Sequence, residues 1–323
     1  MTFGSDITFV DRMQTFSPQR VLDPKQGNKV VDVLPEDPCW TMCPSFNRPP
    51  NVASGTDRYL VFSTGCNSVC PRGSYLIMVY DRTTRRVRKL LAATGTVPDR
   101  LDVSGDYVVW TSEVRETAEH RQVPNSPGVW VANLVTGEVR HGPYQVRDAS
   151  LHGNLLDLVI VPTLDQYTFY LQRFDVRTLE PLSKPMNGVI DVISSDAFSI
   201  LDLAGPNSNA DPNGQTLVKH IQVIGPNFEP LTDIADALNR NPDAVGIGSP
   251  EAGSNFITWA GANGTAWALD GVTKTLVRLR AENDTGAQPH AAGHSLIWFA
   301  DDPDNRNQGT LKEYFANIED LVK

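Results

Sequence analysis

Asp102, Glu251 and His290 are the residues whose types could do chemistry together. Two carboxylates and an imidazole are what acid–base cleavage of a sugar or an ester requires. The plainer reading is that they are polar residues of short strands lining an axial channel and binding water. His290 and His294 make an H-x3-H pair. On a helix that spacing would place both rings on one face. Here it spans a turn, so His294 reads as turn chemistry and only His290 stays a site candidate.

Oxygen ligands cluster at Asp301-Asp302-Pro303-Asp304-Asn305. No cofactor is expected, with calcium at Asp302, Asp304 and Asn305 as the alternative. The stretch lacks the alternating acids and the closing Glu of an EF-hand, and the same residue types make an ordinary turn. Residues 207–213 form a weaker version of it. No Walker loop, G-x-G-x-x-G, G-x-S-x-G or H-E-x-x-H is present.

The four cysteines, Cys39, Cys43, Cys66 and Cys70, fall in one region as two C-x3-C pairs. An even, clustered set points to disulfides and an oxidising compartment. A four-cysteine zinc site and unpaired thiols are the rivals. C-x-x-C, the oxidoreductase spacing, is absent, so the sulfurs read as staples for long loops. Trp40 stands between two of them and is the ligand-contact candidate. Arg82, Arg85, Arg86, Arg88 and Lys89 form a basic run, read as a charged rim that discourages edge-to-edge pairing. Asn263-Gly264-Thr265 and Asn283-Asp284-Thr285 match the glycosylation acceptor at a frequency near chance.

A repeat positions these residues. Gly105-Asp106 precedes Val108-Val109-Trp110, and Trp110 lies four residues on from Asp106. Arg58 with Phe62, Asn255 with Trp259 and His294 with Trp298 fill the same slots. Asn154 opens Leu155-Leu156-Asp157-Leu158, and Asp196 or Ala197 opens Phe198-Ser199-Ile200-Leu201. Gly4-Ser5-Asp6 opens the first copy. Tyr80-Asp81, Asn133, Phe174-Asp175 and Asp270 end a later strand, and tight turns follow. Seven starts give about 46 residues per unit, a propeller-blade length. Each unit reads as four antiparallel strands, in approximate blades 1–35, 51–91, 99–142, 147–183, 189–231, 249–281 and 288–323 of a single domain, 1–323. Leu321-Val322-Lys323 is expected to be the last strand. The fold class is all-β: a seven-bladed β-propeller, with six blades as the alternative. The one helix expected covers Thr232 to Arg240, capped by Thr232 or Asp233. Trp110, Trp259 and Trp298 share one strand slot and read as blade packing.

This pattern resembles the TolB-type, WD40-like β-propeller repeat. Pro98 to Gly142 matches best, and the likeness is to a repeat class. In such a repeat the first strand lies nearest the axis and the fourth on the rim. The connections 35–50, 63–73, 112–127, 202–216, 232–249 and 300–309 then share one face, with all four cysteines.

Composition sets the outer bounds. The 323 residues carry a net charge of −10 and are 40% hydrophobic. The acidity argues against nucleic acid as a partner. No run of about 18 apolar residues exists, so no membrane insertion is expected. The N-terminus lacks a secretory layout. With the cysteines, this points to a secreted or periplasmic form without its signal peptide, or to a cytoplasmic protein. The functional expectation is an extracytoplasmic binding module whose long-loop face takes a protein or glycan. The alternative is a polysaccharide- or ester-cleaving enzyme with its site at the channel mouth.

Overall fold

A computed structural model describes residues 9–10, 20–23, 29–33, 52–56, 58–66, 74–94, 98, 101–113, 127–162, 169–203, 220–241, 244, 248–261, 265–279, 289–301 and 311–322. The chain divides into two compact units, Phe3–Asn187 and Gly188–Lys323.

The first unit begins with β1 (Phe9–Val10), β2 (Arg20–Asp23) and β3 (Lys29–Val33), a three-stranded antiparallel sheet. β4 (Val52–Gly55), β5 (Tyr59–Cys66), β6 (Ser74–Asp81) and β7 (Arg86–Thr94) form a four-stranded meander. β8 (Leu101–Ser104), β9 (Tyr107–Glu113), β10 (Pro127–Asn133), β11 (Val139–His152), β12 (Leu155–Ile160), β13 (Tyr170–Asp175) and β14 (Met186–Asn187) follow in strict sequence order. They join as one seven-stranded sheet because β11 serves two repeats. Its start pairs with β10, and its end pairs with β12.

In the second unit, β15 (Val189–Ser194), β16 (Ser199–Leu203) and β17 (His220–Ile224) form a three-stranded sheet. α1 (Thr232–Asn239) follows. β18 (Gly248–Ala252), β19 (Phe256–Ala260), β20 (Ala266–Asp270) and β21 (Thr275–Arg278) make a four-stranded meander. β22 (His290–Ala292), β23 (Ser295–Asp301) and β24 (Leu311–Asn317) make the last sheet, and α2 (Ile318–Leu321) ends it.

Within each unit, successive sheets bury apolar faces against one another. Tyr59, Val61 and Ile77 of one sheet pack with Val108, Trp110 and Ala132 of the next. Val109 and Val131 pack with Leu151, Leu158 and Phe174. In the second unit, Ile200 and Val223 meet Trp259 and Leu269, with Ile234 and Leu238 of α1 closing the cluster. Phe256 and Ala268 meet Leu296, Trp298 and Ile318. This sheet-on-sheet burial is the main favourable term of the fold. Trp110, Trp259 and Trp298 are all buried, as their shared slot predicts.

The turns repeat as the sequence slots do. The N–H groups of Arg82, Leu134, Val176, Gly271 and Ile318 donate to the carbonyls of Arg58, Asp106, Asn154, Asn255 and His294. Each bond ties the turn after a third strand to the turn after a first strand. Asp81, Asn133, Asp175 and Asp270 accept N–H bonds from two or three residues on, which fixes the second turn. Four residues past each of these lies a left-handed residue: Arg85, Gly137, Leu179 and Lys274. Only Gly137 suits that conformation at no steric cost.

Two local expectations change. Residues 318–321 are helical, because Ile318, Leu321 and Val322 present an i, i+3, i+4 apolar face to the last cluster. A strand there would turn alternate residues to opposite sides. α1 lies where expected, but its N-cap is Leu231, without a side-chain cap bond.

Lys274 is exposed, at φ +57°. Left-handed backbone costs a side-chain-bearing residue about 1–2 kcal/mol, part of which glycine returns as unfolded-state entropy. Lys274→Gly is expected to stabilise the protein by about 1 kcal/mol, and Gly137→Ala to destabilise it comparably. Urea midpoints at constant slope measure both.

Candidate functional site

The register gives the site candidates a common address. Asp102 faces Val109, Ser150 faces Asp157, Glu251 faces Thr258 and His290 faces Ile297. Each lies on the first strand of its repeat, one step before the slot of Trp110, Leu158, Trp259 or Trp298. A first strand has a ladder on one side only, so N–H groups on its other side need another acceptor.

A carboxylate from the preceding repeat supplies that acceptor. Asp102 Oδ2 takes the Leu151 N–H and the Ser150 hydroxyl, both at 2.9 Å. Glu251 Oε2 takes the Ala291 N–H at 2.9 Å, and its Oε1 meets His290 Nδ1 at 2.7 Å. The two arrangements are the same device in two units: Asp102 to Ser150-Leu151, Glu251 to His290-Ala291. Glu251 and His290 are partly exposed, at 40% and 22% of their side chains. A carboxylate at Nδ1 fixes the orientation of an imidazole, and a basic or acidic imidazole needs such a holder. His294, the turn residue, has Nδ1 2.6 Å from Glu319 Oε1 of α2.

A buried ionic cluster lies in the first unit, on residues that no catalytic or metal-binding motif marks. Asp157 of β12 and Arg173 of β13 face each other in register. Arg173 Nε and Nη2 donate to the two Asp157 oxygens at 2.7 Å each, and His152 Nε2 lies 3.3 Å from Oδ2. All three are under 5% exposed. Burial alone would raise the Asp157 pKa. The bidentate guanidinium and His152 overcome that and hold the carboxyl well below its usual range. Ser150 links this row to Asp102, so one polar line runs from β8 through β11 and β12 to β13. The available signal was one Asp inside the apolar run Leu155–Ile160, matched by an Arg in the next strand.

Among the described residues, no three His, Cys, Asp or Glu side chains gather as a metal site. Trp40, Cys39, Cys43, Cys70, Asp302, Asp304 and Asn305 lie outside the described residues. Cys66 is the last residue of β5, and its backbone pairs with Ser74. Among the described residues, no helix is long and apolar enough to cross a membrane.

No protein-family model and no curated protein matches the chain. Among solved structures it is similar to the acylaminoacyl peptidase of Pyrococcus horikoshii, at 13% identity and TM-score 0.54, over 96% of this chain and 48% of that one. It thus spans about half the length of that peptidase. It is also similar to the β-propeller domain of the Trilobed protease from Pyrococcus furiosus, at 12% identity and TM-score 0.48, over 80% of this chain and 78% of that one. The first likeness is one of fold alone, over part of that peptidase, and the strand-dominated repeats of this chain are of the β-propeller class.

Breaking the Asp157–Arg173 pair strands a buried charge. Asp157→Leu or Arg173→Met alone is expected to cost about 3–5 kcal/mol, and the double variant much less, in denaturant titrations. Asp157 has a folded pKa below its usual 3.8. Its contribution is therefore complete above that value and is lost as pH falls through the lower, folded value. Wild-type stability should drop below pH 3.8, and the drop should be shallower in the double variant, as followed by circular dichroism.

Proposed function

We propose that the chain is an extracytoplasmic β-propeller of the TolB-type, WD40-like repeat class, with seven four-stranded blades. It binds a protein or glycan on the face that carries its long connections. The observation that carries this reading is the commitment of Asp102 and Glu251. Each places a carboxylate oxygen on a strand N–H of the following repeat, so each holds the scaffold together. The turn residues at the recurring slots are likewise engaged with other turns. On such a scaffold, binding falls to the connections. These connections are 35–50, 67–73 and 114–126, shorter than the expected 63–73 and 112–127 because β5 runs to Cys66, β9 to Glu113 and β10 starts at Pro127, and Trp40 in the first supplies a large apolar contact.

A second reading has one specific observation behind it. The Glu251–His290 contact of 2.7 Å is a carboxylate-held imidazole that stays partly exposed. That arrangement suits a general base for hydrolysis.

One pair of assays separates the readings. In the first, Trp40→Ala and a shortened 114–125 connection should each abolish retention of ligands from a glycan and peptide panel, with unchanged melting. In the second, wild-type protein should show no turnover of p-nitrophenyl esters or glycosides. Turnover that falls about 100-fold or more in Glu251→Gln and His290→Ala would establish the enzyme instead.

A further inference from the structure

The basic run lies on a rim strand whose length and charge exceed what edge protection needs. β7 is nine residues long and is the last strand of its sheet. Five cations stand among residues 82–89, with no carboxylate between them, in a chain of net charge −10. Arg85, Arg86 and Lys89 are exposed. Arg88 donates inward to the Leu134 carbonyl of the next sheet, which fastens the strand. The turn below is also held: Asp81 takes the Thr83 N–H at 2.8 Å and pairs with Arg58 at 3.2 Å. The cations are therefore presented from an ordered edge, and preorganisation lowers the entropy lost on binding.

One charge is enough to stop a strand edge from pairing with a copy of itself. Several cations do something further, because they attract an acidic strand while repelling a basic one. We propose that the outer edge of β7 is a docking edge for an acidic, extended peptide segment of another protein. The partner's main chain would pair with β7, and its Asp or Glu side chains would meet Arg85, Arg86 and Lys89. The shape of the patch favours a peptide over other anions. It is a line along one strand and its turn, not a plane, so it does not match a lipid surface. Main-chain pairing is available to a peptide and not to a polysaccharide or a nucleic-acid backbone. The surrounding net negative charge also opposes long anionic polymers.

Fluorescence anisotropy with a labelled Glu-Val-Glu-Val-Glu-Val peptide tests this on the full chain. The peptide should bind, more weakly as salt rises, and Arg86→Glu/Lys89→Glu should weaken binding by about tenfold or more. Arg85→Gly removes a cation while relieving a φ of +55°, so it should weaken binding with undiminished thermal stability. A Glu-Pro-Glu-Pro-Glu-Pro peptide keeps the charge but loses the N–H of every second residue and has φ fixed near about −65° there, outside the range of an antiparallel strand, so it should bind several-fold less well. The proposal is overturned if the valine peptide does not bind, or binds these variants as tightly as wild type. It is overturned equally if the proline peptide matches the valine peptide, or if heparin or phosphatidylserine vesicles bind more tightly than either.

Discussion

The first strand of every repeat has one unladdered edge, and the structure depends on how that edge is satisfied. An unpaired N–H in such a place loses its bond to water without gaining another, a penalty of roughly 1–3 kcal/mol. Asp102 and Glu251 remove the penalty at Leu151 and Ala291. Each carboxylate comes from the repeat before, so the bond also ties the first strands of two successive repeats, whose faces meet largely through apolar contacts. Apolar burial is non-directional. The carboxylate adds what burial lacks: it holds the first strands of the two repeats at one level.

That role explains why the slot tolerates different residues. Asp102 is short and reaches a serine, Ser150. Glu251 is one methylene longer and reaches a histidine, His290. In these two repeats a carboxylate oxygen takes the strand N–H, and its second partner varies. Where a repeat buries that slot instead, as with Ile193, an aliphatic side chain joins the core of the second unit. A carboxylate at this position is thus first a structural answer.

Much of the repeat was legible because its turns obey local rules. Asp81, Asn133, Asp175 and Asp270 announce their turns by residue type, and the structure gives each its N–H donors. The slot of Arg58, Asp106, Asn154, Asn255 and His294 was legible by spacing alone, although its function lies in the backbone carbonyl. That is why four kinds of side chain can occupy it. The ends of the repeats were less legible. Residues 318–322 carry three apolar positions that suit a strand run or a helix face, and only the apolar cluster they meet selects the helix. The fusion of two repeats through β11 was hidden too, because Gly142-Pro143 reads as a turn that ends the third unit, yet the strand runs on through it. The pairing of Glu251 with His290 needed three dimensions. They are 39 residues apart, and only the common slot hinted that adjacent repeats bring them together.

The Asp157–Arg173 pair shows what the common slot leaves undecided. Its β-strand is buried on both faces over most of its length, so alternation offers no outward position for a charge. Apolar residues of similar size would fill that space at lower desolvation cost. What the pair adds is register. A two-residue slip of β13 would keep every apolar side chain on its own face, yet it would strand a guanidinium and a carboxylate in the core. A one-residue slip would invert the faces and do the same. Apolar packing alone discriminates well against the second error and poorly against the first. The ionic pair therefore acts where the hydrophobic pattern is least informative, between the buried strands β12 and β13, and His152 and Ser150 extend it toward the edge that Asp102 secures.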